Sequence, residues 1–365
     1  MPRGRRVSAP WRPANIAAHT QSSSATPGLQ PPWHPPLPPI ITWDYQFAPN
    51  AQKSRNYLHA THTPFKICEQ PFALPRPNLT NLGITYRRVP VISIGKDVFC
   101  DNTSFIDTLQ TLLEQQGKGL VIGSADRAYE AWGYRSFWVA LPCVPAELMT
   151  ESLARDRKDL FPVFAREDFA SLRQNGLSEL RSMMETAEKE FLISSSGGGA
   201  EGGPFIRERK ECGLADIHAI WMLKWALHTI DVAKEPGFGK QVFPKVHAWC
   251  DALPTHDDEV QKDAFISAED ASKQLLASAY ACPDVGVDAS DPLGLREGEE
   301  VAVEMTDATP GTYPQNGKLI GLSKSRVVLE LENGLRLHFP RVGYVVNRTG
   351  DVVDGADGGQ VLKVN

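Results

Sequence analysis

The order of elements between Ile40 and Leu113 constrains the fold of this chain more than any other feature. ITWDYQF (41–47) is a short apolar strand, and Ala48-Pro49-Asn50 opens a helix running to about His62. PFKICE (64–69) is a second strand. VPVISIGKDVFC (89–100) is a hairpin turning at Gly95-Lys96-Asp97, entered through Val89-Pro90. NTSFIDTLQTLLE (102–114) is an amphipathic helix with Phe105, Ile106, Leu109, Leu112 and Leu113 on one side. The segment is therefore strand–helix–strand followed by hairpin and helix.

The rest of the chain has room for more. Its 365 residues accommodate two or three domains, and 42% hydrophobic with 22% charged residues is ordinary for a soluble globular protein. A net charge of −6 disfavours nucleic acid or an anionic membrane as partner. The longest apolar run, IWMLKWALHTI (220–230), is interrupted by Lys224 and His228 and is too short to span a bilayer. Six scattered cysteines contain no CxxC, which excludes the usual dithiol chemistry and the common zinc motifs. Free thiols in a reducing, cytoplasmic compartment are expected. His59 and His62 lack a third ligand and read as a solvated helix face, so no metal is expected.

Residues 1–39 hold ten prolines and four arginines, and no acidic residue occurs before Asp44. The basic, acid-free start suits mitochondrial targeting. The prolines oppose the amphipathic helix that targeting needs, so a disordered tail is the expectation.

Beyond a linker at 115–119 the pattern turns helical. Tyr129, Trp132, Phe137, Trp138 and Leu141 mark an aromatic helix ending before Pro142, and a second is expected from Arg166 to Phe191, weakened at Asn175-Gly176. SSSGGGAEGGP (194–204) is a flexible loop. LADIHAIWMLKWALHTI (214–230) is apolar nearly all round and reads as a central buried helix, with glycine at its cap position and Asp216 three residues on. FPKVHAWCDAL (243–253) and SAEDASKQLLAS (267–278) are further helices. From Asp291 the texture is β. Val301, Val303 and Met305 alternate, as do Val327, Leu329, Leu331 and then Leu335, Leu337, Phe339. A three-residue loop, Glu332-Asn333-Gly334, pairs 331 with 335, 329 with 337 and 327 with 339. All six apolar residues then share one face, with Gly334 left-handed.

The βαβ–ββα order, with Pro90 just before the third strand, resembles the thioredoxin-like domain of glutathione S-transferases, and an all-α stretch after it is the transferase architecture. The resemblance covers residues 40–280. It implies an α/β thioredoxin-like glutathione-binding domain at 40–116 and an α-helical transferase domain at 120–280. A small β-rich module, SH3-like or barrel, follows at 290–350, with a tail at 351–365. That module lies outside the ordinary transferase fold, and similar extensions occur in fungal transferase-like proteins. Few contacts are expected between it and the core, so that it folds separately.

Function follows from the same resemblance. The protein is expected to bind glutathione as cosubstrate and to conjugate it to an apolar electrophile; the alternative is a non-catalytic scaffold acting through the β module. The family places a serine or cysteine before the first-helix proline to stabilise the glutathione thiolate, and this chain has Ala48-Pro49 there. Tyr45 stands near the activating hydroxyl of tyrosine-type members; core packing is its other reading. Asn50 is either a donor or a helix cap. Main chain at Val89, before a cis Pro90, is implied to pair with the cysteinyl part of glutathione. Asp101-Asn102-Thr103-Ser104 offers Asp101, Thr103 and Ser104 for the γ-glutamyl end, or an ordinary cap. Tyr129, Trp132 and Trp138 are the expected electrophile wall. Arg87-Arg88 would steer an anion or solvate a loop. The family is commonly dimeric. No cysteine stands at the first helix start, which disfavours a redox enzyme of the glutaredoxin kind.

Overall fold

The computed structural model describes residues 36–193, 202–253 and 264–349, with two short strands at Val352–Asp354 and Gln360–Leu362. The Pro-rich tail and most of the expected loop at 194–204 lie outside the described residues.

β1 (Ile40–Asp44) is buried along its whole length and leads through Ala48 into α1 (Pro49–Ala60), whose proline occupies the first turn, where no N–H is needed. β2 (Lys66–Glu69) lies parallel to β1, with Ile41 opposite Lys66. After a short α2 (Pro77–Thr80), β3 (Val91–Ile94) runs antiparallel to β1 and turns at Gly95 into β4 (Asp97–Phe99). Gly95 has φ +58°, and a Cβ there would meet the Ala279 carbonyl at 2.1 Å, so the hairpin turn admits glycine alone. α3 (Asn102–Glu114) buries Phe105, Ile106, Leu109 and Leu113, as its pattern predicts. The Val89–Pro90 peptide is cis, as the resemblance implied.

The helical part comprises α4 (Asp126–Ala140), α5 (Glu151–Arg157), α6 (Arg173–Thr186), α7 (Leu214–His228), α8 (Pro244–Ala252) and α9 (Ala268–Ala277). The helix expected from Arg166 begins later: a 3₁₀ turn at Phe169–Leu172 precedes α6, and a π turn at Ala187–Phe191 ends it. Gly176 sits inside α6 because a Cβ there would lie 2.9 Å from the Pro142 side chain. α7 buries every residue from Leu214 to Leu227, as a helix apolar nearly all round should. Its glycine cap has no side-chain acceptor to offer. Asp216 compensates by accepting from the N–H groups of Gly213 (2.8 Å) and Ile206 (2.8 Å) and from the Trp249 indole (2.9 Å). None of these helices is long and apolar enough to cross a membrane.

β5 (Gly286–Val287), β6 (Glu300–Met305), β7 (Gln315–Leu322), β8 (Arg326–Glu330), β9 (Arg336–Pro340) and β10 (Tyr344–Arg348) build the β-rich region. The β8–β9 hairpin has the predicted register: Val327 faces Phe339, Leu329 faces Leu337, Leu331 N–H donates to the Leu335 carbonyl at 2.9 Å, and Gly334 has φ +77°. β11 (Val352–Asp354) and β12 (Gln360–Leu362) pair antiparallel within the stretch expected to be a tail.

The expectation of few contacts between this region and the core is corrected. β9 pairs in parallel with β4, Asp97 opposite Arg336, giving one ten-stranded sheet ordered β10-β6-β7-β8-β9-β4-β3-β1-β2, with β5 beside β7. A shared hydrophobic cluster includes Trp43, Val91 and Val98 of the thioredoxin-like sheet and Val303, Leu329 and Phe339 of the β-rich strands. Asp97 accepts from the N–H groups of Ala281 (2.6 Å) and Cys282 (2.8 Å) and meets His338 Nε2 at 2.8 Å, with Asp97, Cys282 and His338 all buried. Gln315 accepts from Thr85 N–H (2.7 Å) and donates to the Gly83 carbonyl (3.1 Å). The cause is the exposed edge of β4, which satisfies its backbone groups by taking another strand. The described residues from Leu37 onward accordingly form one compact unit.

Candidate functional site

Two cavities meet at Val89. Asn50, Arg88, Val89, Phe137 and Phe161 line both, so they share one boundary between the two domains. The larger, about 690 Å³, is the more polar of the two, with charged side chains in its wall, and reaches from Pro90 and the start of α3 to α4 and the β-rich region. The smaller, about 370 Å³, is mostly apolar and lies over the start of α1, walled by Leu141, Phe164 and Trp225 among others.

Asp101 caps α3 and lies in the polar cavity. Its Oδ1 accepts from Thr103 N–H at 2.7 Å, and the Tyr344 hydroxyl stands 3.4 Å from Oδ2. Desolvation raises its pKa, while the Thr103 N–H and Lys53 oppose that rise. Thr103 lines the same wall but donates its hydroxyl to Glu130 Oε1 at 2.8 Å. Ser104 is buried and lines neither cavity, which departs from its expected part in binding.

Glu130 of α4 is the residue that sequence reasoning missed. It joins Lys53 (3.2 Å), Arg127 (2.6 Å), Thr103 and His218 (3.6 Å), knotting four helices at the cavity wall. Burial pushes its pKa up, yet Lys53, His218, Thr103 and Arg127 together hold it well below the ordinary range. Burial, with Lys53 adding to it, holds His218 down at about 3, so its ring is neutral. No local motif announces this knot, because its members come from α1, α3, α4 and α7.

At the start of α1, Ala48 is the cap residue and makes no side-chain bond; it is buried against Ala51 and Val89. Asn50 is not the cap. Its side chain makes no hydrogen bond among the described residues, and it faces both cavities. Tyr45 lines the apolar cavity rather than packing in the central core, edge-on to Phe72 at 4.8 Å, with its hydroxyl accepting from Arg157 at 3.2 Å.

The expected electrophile wall is corrected. Tyr129 and Trp132 pack on Phe191 at 5.0 and 4.9 Å, Trp138 packs on Phe137 at 5.5 Å, and none of the three lines either cavity. Tyr129 and Trp132 occupy the other side of α4, and Trp138 stands behind Phe137 and Phe161, which line both cavities. Arg87 and Arg88 neither solvate a loop nor stand free: Arg87 pairs with Asp156 at 2.5 Å and Arg88 with Asp307 at 2.8 Å. The β-rich region thus supplies part of the polar cavity, through Asp307, Lys324, Arg341 and Tyr344. Among the described residues one trio carries metal-competent atoms within 4.8 Å of one another, Asp97, Cys282 and His338. Three donors already occupy the Asp97 carboxylate, which makes the trio a structural knot.

Among curated proteins none matches the chain. Residues 139–261 match a family described only as a domain of unknown function (DUF7962). Among solved structures, a GST-like protein from Pseudomonas syringae superposes with a TM-score of 0.53 at 20% identity, covering 85% of this chain and 99% of that one. Glutaredoxin 2 from Salmonella typhimurium, solved with glutathione, gives 0.42 at 12% identity over 59% and 96%. Glutathione S-transferase III gives 0.39 at 16% identity over 67% and 99%. Residues 40–280 are about two thirds of the chain, so the first match runs past them. The chain has the fold of a glutathione S-transferase-like protein: a thioredoxin-like domain, an all-α domain and a β-rich region fused to the same sheet.

Proposed function

We propose that the protein binds glutathione in the polar cavity and presents its thiol at Asn50 to an electrophile held in the apolar one. The observation that carries this is the shared boundary at Val89, where a cavity bearing both signs of charge opens onto an apolar one. Glutathione has two carboxylates and one ammonium. Asp101 offers an anion for the ammonium, and Lys53, Arg127, Lys324 and Arg341 offer cations for the carboxylates. The thiolate would meet the start of α1, whose first N–H groups have no intrahelical acceptor, with the uncommitted Asn50 amide beside them.

Asp101→Asn tests this cleanly, because asparagine caps a helix as well as aspartate but carries no charge. Millimolar glutathione should raise the melting temperature of the unaltered protein by mass action, and raise it less in Asp101→Asn. No rise in the unaltered protein overturns the reading. Ala48 favours a second reading, a glutathione-binding scaffold without transferase activity. Glutathione binding with no conjugation of any generic electrophile would select it.

A further inference from the structure

The apolar cavity has four arginines in its wall, Arg76, Arg87, Arg88 and Arg157. Arg76, Arg87 and Arg157 are only 3%, 2% and 6% exposed, and a buried guanidinium needs a paired charge or hydrogen bonds. Asp156 serves two of them, pairing with both Arg87 and Arg157, and Asp307 serves Arg88. Arg76 has no carboxylate partner among the described residues. Three of its five N–H groups go to the carbonyls of Pro71 (3.1 Å), Arg87 (2.6 Å) and Phe72 (3.5 Å), and its guanidinium lies 5.8 Å from the Tyr45 ring. Four cations therefore stand against two carboxylates, and neither carboxylate lines the cavity. Burial, and then the neighbouring Arg87, bring the Arg76 pKa down to about 10, as an undercompensated cluster requires.

We infer that this cavity takes an amphipathic anion, with its apolar body against Phe137, Phe161 and Trp225 and a carboxylate head at Arg76 and Arg157. An apolar ligand alone would leave the excess positive charge desolvated and unpaired, whereas a carboxylate matches the planar fork of a guanidinium. The inference deepens the proposed function by giving the electrophile an acidic head. It rests on that reading only for the reaction, since the binding itself needs no glutathione.

Octanoate and octan-1-ol share one chain and differ in the head, so calorimetric titration of each into the full-length protein, without glutathione, isolates the charge. Octanoate should bind about ten- to a hundredfold tighter than the alcohol, the range of a charge-assisted contact. Arg76→Gln and, separately, Arg157→Gln should erase that preference while alcohol binding persists, which also reports that each variant is folded. Equal affinities in the unaltered protein, no binding of either probe, or a preference that survives both substitutions would overturn the inference. Octanoate binding by a protein that ignores glutathione would leave it standing and remove the transferase reading alone.

Discussion

At the residue scale the decisive question is what lies beside a thiol at the start of α1. Ala48 contributes no donor, and the Tyr45 hydroxyl is already held by Arg157 at 3.2 Å, although its own proton is still free to donate. Asn50 alone is both uncommitted and exposed to both cavities. A charge-assisted hydrogen bond is worth roughly 1.5–3 kcal/mol, and about 1.36 kcal/mol corresponds to one pKa unit. Asn50→Ala should then raise the pKa of bound glutathione by about one to two units, read as thiolate absorbance against pH. An unchanged thiol in Asn50→Ala with a raised one in Tyr45→Phe would move the role to Tyr45. Either residue was legible in the sequence as a candidate. Choosing between them required knowing where each side chain is already spent.

At the scale of elements, α1, α3, α4 and α7 are tied through Glu130 and His218. His218 has its folded pKa lowered to about 3 by burial and Lys53, against about 6.5 for an unfolded histidine. A depressed histidine contributes stability that is fully present above the unfolded pKa and is lost as pH falls below it, because only the unfolded chain takes up the proton. His338, lowered by burial despite Asp97, acts in the same direction. The raised carboxyls of Asp44 and Asp101 act oppositely, so comparison with a variant is needed to isolate the histidine. Between pH 7 and 5 the melting temperature of the unaltered protein should fall more steeply than that of His218→Gln. Parallel pH profiles would show that His218 is not buried in its neutral form. α3, α4 and α7 were readable from apolar spacing, and the β8–β9 register from two alternating runs and one glycine. The Glu130 knot was not, because charges distant in sequence leave no periodic trace.

At the scale of the whole molecule, the β-rich region is part of the core and of the candidate site. Deleting residues 285–365 removes β9 from β4, His338 from the buried Asp97, and the apolar cover from Trp43, Val91 and Val98. An uncovered strand edge and a bared apolar sheet face are both liabilities in water. The truncated protein should aggregate, or elute as a soluble species without a cooperative melt. A monomeric, cooperatively melting truncation that binds glutathione unchanged would show that the region is dispensable. The sequence by itself determined the order β1, α1, β2 and then β3, β4, α3, and the β8–β9 hairpin register, since these depend on local spacing and side-chain alternation. Only the tertiary structure decided that β9 completes the β4 edge, that Tyr129, Trp132 and Trp138 line neither cavity, and that four arginines surround an apolar one. Those outcomes depend on which surfaces meet, and satisfying backbone groups and buried charges is settled between segments far apart in the chain.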